Sequence, residues 1–177
     1  MSEKSAGRQG VDEARALARV FEELTSGTQP SKPGVVLNTG DVGLLRSLEK
    51  LSPAEASLSS FGGATIAAHA EHLRFGLSLM NRWAREGGDP FTDARWDEAW
   101  KISSVDATSW AGILSGLSEE TNRWREALAS YQPSSTRDLR GMIGSVAHLA
   151  YHLGAIRQIH RELRGPQEGT FAPPQTA

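Results

Sequence analysis

The chain contains no cysteine among its 177 residues. Disulfides and thiolate ligands are therefore excluded, and any bound metal must be held by His, Asp or Glu. Long hydrophobic runs are missing as well. No apolar stretch approaches the ~20 residues needed to cross a bilayer, so no membrane partner is expected. Excess basic charge is missing too. The formal net charge is −2, without the basic stripe that marks a nucleic-acid surface, so no nucleic-acid partner is expected. The first ten residues, MSEKSAGRQG, lack an apolar core of the kind a secretory signal carries. These absences point to a cytoplasmic setting.

What remains is a globular composition, with 38% hydrophobic and 23% charged residues, and a length that suits one domain. Residues 1–10 are polar and are expected to be flexible. From residue 11 to 24 the apolar positions Val11, Ala14, Leu17, Ala18, Phe21 and Leu24 recur with a helical period. A Pro/Gly loop follows over 27–34. Asp41 is placed to cap a helix carrying Leu44, Leu45, Leu48 and Leu51. Ser52-Pro53-Ala54-Glu55 has the capping-box pattern of a short helical turn. Thr65 opens a long helix that Gly87-Gly88-Asp89-Pro90 stops near Glu86. Residues 90–105 lack a clear period and read as a long connection, partly helical and pinned by Phe91, Trp96 and Trp100. Asp106 caps the next helix, to about Tyr131. The last runs from about Asp138 to Arg164, where Gly165-Pro166 ends it. Residues 166–177 read as a flexible tail. The domain is thus expected over 11–165 and its class is all-α, because such stripes are buried within one domain by packing helix on helix.

The candidate chemistry lies in the histidines. His148 and His152 are four residues apart, hence one turn apart on one helix face, within the apolar run Val146 to Gly154. Two buried imidazoles need partners, and a shared metal would satisfy one nitrogen of each. Each could instead bond a carbonyl or carboxylate, or lie at the edge of solvent. Position 149 is Leu, so the glutamate base of a His-Glu-x-x-His metalloprotease is missing. A third ligand would come from the helix opened by Thr65, where His69 and His72 are both available; spacing leaves the choice between them open.

Two segments carry a family resemblance. Ile66-Ala67-Ala68-His69-Ala70-Glu71-His72-Leu73 is similar to the second-helix motif of DinB-like proteins, and His148-Leu149-Ala150-Tyr151-His152-Leu153-Gly154 is similar to their terminal motif. The Ser-Pro-Ala-Glu turn is usual there too, and the similarity covers roughly residues 38–164 in order and spacing. The resemblance implies a four-helix bundle of DinB/YfiT-like type with a long crossover, here with an extra N-terminal helix. It implies a homodimer and one divalent metal, zinc or nickel, held by His72, His148 and His152, with His69 at a non-ligand position. Relatives include bacillithiol- and mycothiol-dependent enzymes. Ala155 departs from the pattern, standing where the family carries Gln, so similarity of substrate does not follow.

A three-histidine site leaves metal positions open, the pattern of a catalytic centre. The expected function is a metal-dependent enzyme acting on a small molecule, by thiol S-transfer or hydrolysis through an activated thiol or water. The alternatives are a non-catalytic metal-binding or stress-response module, and a bundle whose histidines are structural. Among other polar and aromatic residues, Glu71 reads as a surface carboxylate and Asn38 as a turn residue. Tyr151 reads as packed between helices. Trp83, Trp96 and Trp100 read as core or interface residues rather than pocket walls. Arg157 and Gln158 read as anion-binding or solvent-facing, and His160 as lying at a helix end.

Overall fold

In the computed structural model, which describes residues 3–29 and 32–166, all regular elements are helical apart from one isolated bridge between Ser59 and Thr65. Six α-helices follow in order: α1 Glu3–Ser26, α2 Gly43–Glu49, α3 Pro53–Ala56, α4 Ile66–Glu86, α5 Ala107–Ser130 and α6 Thr136–Ile159. Most of the expected tail, 167–177, lies outside the described residues.

Helix α1 starts well before the expected Val11. Glu, Lys, Ala, Arg and Gln in this segment all favour helix, and Gly7 and Gly10 weaken it without stopping it. Its stripe Ala14, Ala18, Phe21 and Leu24 is buried. The helix ends at Gly27, whose φ of +89° and close approach to the Asp41 carbonyl leave no room for a Cβ, which would lie 2.2 Å from that oxygen. Glu23 then organises the loop, accepting the backbone N–H groups of Val35, Val36 and Leu37 at 2.9, 2.7 and 2.7 Å.

The expected caps at Ser52, Thr65 and Asp106 are present. Ser52 and Glu55 form the reciprocal capping box. Thr65 Oγ1 accepts from Ala68 N–H at 3.1 Å, and Asp106 Oδ1 accepts from Ser109 N–H at 2.8 Å. Asp41 is different. It stands one residue before the N-cap Val42, accepts from Gly43 N–H at 2.8 Å and is paired with Arg157 Nη2 at 2.8 Å. Asn38 makes the expected turn and also donates to the Pro166 carbonyl at 2.8 Å.

Helices α1 and α4 each pack against both α5 and α6. Phe21, Leu24, Leu73, Leu117, Trp124 and Leu149 meet in the resulting core. The long connection between α4 and α5 contains one 3₁₀ turn, Ala99–Lys101. Its far end is tied to the start of α4 by Thr65 Oγ1, which donates to the Ile102 carbonyl at 2.7 Å. Helix α6 stops at Ile159, short of the expected Arg164, and a 3₁₀ turn Arg161–Leu163 follows. The chain turns there because Leu163 is buried and Gly165 must pack against the Asp41 carboxylate.

The Arg157–Asp41 pair joins α6 to the start of α2 across the interior, with Asp41 only 2% exposed. Arg157 is therefore neither solvent-facing nor free for an anion. Arg157→Ala leaves a buried carboxylate without its cation and is expected to cost about 3 kcal/mol, read as a lower urea midpoint at neutral pH. An unchanged midpoint would show that the pair contributes nothing to the fold.

Candidate metal centre

The register of two helices builds the site. His69 and His72 lie one turn apart on α4, and His148 and His152 one turn apart on α6. Where the helices face each other the four rings meet. His72 Nε2 lies 3.1 Å from His148 Nε2, and His152 Nε2 lies 3.0 Å from the same atom. One ligand atom from each of these three rings falls within 4.8 Å of the other two. His69 stands outside the cluster. Its Nδ1 lies 2.9 Å from His152 Nδ1, so it touches the back of one member of the trio.

Hydrogen bonding among the rings does not satisfy this arrangement. A neutral imidazole nitrogen carries either one hydrogen or one in-plane lone pair, yet His148 Nε2 faces two nitrogens at once. His72 Nδ1 is buried without a partner among the described residues. A cation bound to all three Nε2 atoms would resolve the conflict at His148. Two nitrogens at ~2.0–2.1 Å from a common ion, at angles between square and tetrahedral, sit roughly 2.9–3.4 Å apart. Both separations at His148 fall in that window, so the residues present fit a divalent ion.

Electrostatics favours the neutral, ligating form. Burial, with His148 and His69 as further like-charged neighbours, lowers the His72 pKa from 6.5 to about 4. Burial and the other three imidazoles lower that of His152 to about 3. Burial also lowers those of His69 and His148. All four rings therefore keep their lone pairs at neutral pH.

The connection between α4 and α5 supplies the surroundings. Trp100 stacks on His72 with ring centroids 4.3 Å apart, and Trp96 lies 5.4 Å from the same ring. These tryptophans thus flank the histidines and are not plain core packing. Trp83 does pack in the interior, against Tyr131 and Trp124. Tyr151, expected between helices, is 71% exposed and sets its ring edge-on to that of His152, with centroids 5.0 Å apart. Glu71 points away from the centre and pairs with Arg74 at 2.5 Å. His160 caps the C-terminus of α6, 3.6 Å from Glu55. Gln158 is exposed and accepts from Arg164. The contribution of His69 and the stacking of Trp100 were not readable from spacing, although His69-x-x-His72 in an apolar stripe was a usable signal.

The lowered pKa values have a consequence for the metal-free chain. The unfolded imidazoles titrate near 6.5 and the folded His72 and His152 rings well below it, so between these values the unfolded state binds more protons. Stability is then complete above about 6.5 and falls as the pH drops toward 4. The urea midpoint of chelator-treated protein is expected to fall between pH 7.5 and 5.5, and to fall less in a His72→Asn/His152→Asn double variant. A flat profile for the unsubstituted chain would contradict the buried, neutral state.

No known family model matches the chain, and no curated protein or solved structure is significantly similar to it, so the reading of the site rests on its own geometry.

Proposed function

We propose that His72, His148 and His152 hold one divalent metal ion, zinc or nickel, and that the protein is a DinB-like metal-dependent enzyme acting on a small molecule by thiol S-transfer or hydrolysis. The observation that carries this reading is the meeting of three neutral imidazole nitrogens around His148 Nε2, at 3.0 and 3.1 Å. The pairing of α1 and α4 each with α5 and α6 supports a four-helix bundle of that family's type, and the 87–106 connection supports its long crossover.

When bound, the ion supplies a positive charge that makes a water or thiol nucleophilic near neutral pH. The chain's own groups do the rest. Three uncharged ligands leave that charge uncompensated, which favours an anionic partner. With the His152 Nε2 lone pair turned to the centre, its proton sits on Nδ1 and is donated to His69 Nδ1, which fixes both tautomer and ring orientation. Trp100 covers one face of His72 and keeps water from it. A cavity opens beside His72 and His148, giving a small molecule a route to the centre.

Metal content measured by plasma mass spectrometry on untagged protein tests the proposal. The expected result is about one zinc or nickel per chain, lost in His72→Ala, His148→Ala and His152→Ala with helical circular dichroism retained. A chain that takes up neither metal after incubation with both would overturn it. His69→Ala separates ligand from orienting residue. It is expected to keep the stoichiometry and to bind zinc roughly 10–100-fold more weakly in a chelator competition. An unaltered affinity would remove His69 from the site.

A further inference from the structure

Beside the histidines a cavity of about 530 Å³ runs between α4 and α6 and beneath the connection to α5. Its size lies within the ~300–1,000 Å³ of small-molecule sites. Among the described residues its walls include no Asp, Glu, Lys or Arg. Leu73, Leu77 and Met80 form the α4 side. Phe91 and Trp96, stacked with centroids 6.1 Å apart, close the outer side. The hydroxyl of Ser145 is already engaged, donating to the Met142 carbonyl and accepting from Trp124 Nε1. The imidazoles of His72 and His148 are left as the polar end.

Three glycines widen this space: Gly76 on α4, and Gly141 and Gly144 on α6. Glycine is unfavourable inside a helix, and the backbone does not demand it here, since none of the three has a positive φ. Nor does close packing. A Cβ at Gly76 or Gly141 would make only ordinary contacts of 3.6–3.9 Å, and at Gly144 it would meet nothing within 4 Å. What the glycines provide is volume, on both helices that carry the ligands.

The geometry points to a neutral, largely apolar small molecule, an aryl or alkyl compound with one polar group, as the occupant of this cavity, its polar group toward His72 and His148. A charged body would lie unpaired against an apolar wall and is disfavoured, so a polyionic thiol is not the occupant. The catalytic meaning of the cavity rests on the metal-centre reading above; the binding itself does not.

The test uses two dyes that share one skeleton, neutral N-phenyl-1-naphthylamine and its anionic sulfonate 8-anilino-1-naphthalenesulfonate. Each is titrated by fluorescence into the full chain, metal-free and zinc-loaded. In the metal-free chain the neutral dye is expected to saturate one site and to bind at least about tenfold more tightly than the sulfonate. Gly144→Leu, at a helix position with space for the side chain, is expected to weaken the neutral dye by about tenfold or more while circular dichroism and zinc content stay unchanged. Equal affinity for the two dyes, or a Gly144→Leu variant that binds the neutral dye as before, would overturn the proposal. A chain that passes the dye test but takes no metal keeps the cavity and loses the metal centre; one that takes zinc and fails the dye test does the reverse.

Discussion

Four imidazoles brought together between α4 and α6 place polar nitrogens inside an otherwise apolar helix interface, and much of the surrounding structure follows from having to accommodate them. Burial strips water from the rings and lowers their proton affinity. The remaining need for partners is met only in part by the rings themselves. His69 answers the back of His152, whereas His148 Nε2 is approached from two sides and His72 Nδ1 has no answer among the described residues. An arrangement that leaves hydrogen bonding incomplete, yet gathers one nitrogen from each of three rings within 4.8 Å with two of the separations at coordination spacing, suits a guest cation better than a purely structural cluster.

The rest of the fold holds the two helices in register. The caps at Thr65 and Ser135 set where α4 and α6 begin. The buried Arg157–Asp41 pair lies little more than one turn beyond His152 and anchors that end of α6 to the start of α2. The same Thr65 that caps α4 grips the connection to α5, so the segment carrying Trp96 and Trp100 is tied to the helix whose histidine it covers. Helix start, aromatic cover and ligand position are thereby linked through a few residues.

The two sides of the centre differ in character. On one side Trp100 stacks over the buried His72 and the exposed Tyr151 lies edge-on to the buried His152. On the other side lies the apolar cavity, widened by glycine on both helices.

Local features of the sequence determined the helices and much of the candidate site. The 3.6-residue period, the Ser52–Glu55 box, the Thr65 and Asp106 caps and the glycine after Glu86 all act within one or two turns. The one-turn spacing of His148 and His152, and the near-turn spacing of His69 and His72, are also local, so a histidine-bearing face could be read on each helix. Tertiary structure alone decided which ring of α4 joins the pair and which stands behind it, because that depends on the crossing of helices whose contacting histidines are 76 and 83 residues apart. It also decided that Trp100 lies on His72, that Arg157 meets Asp41 across 116 residues, and that α6 ends early to let Leu163 and Gly165 pack. These outcomes are set by distances between remote segments, which packing of the whole core fixes and no local pattern encodes.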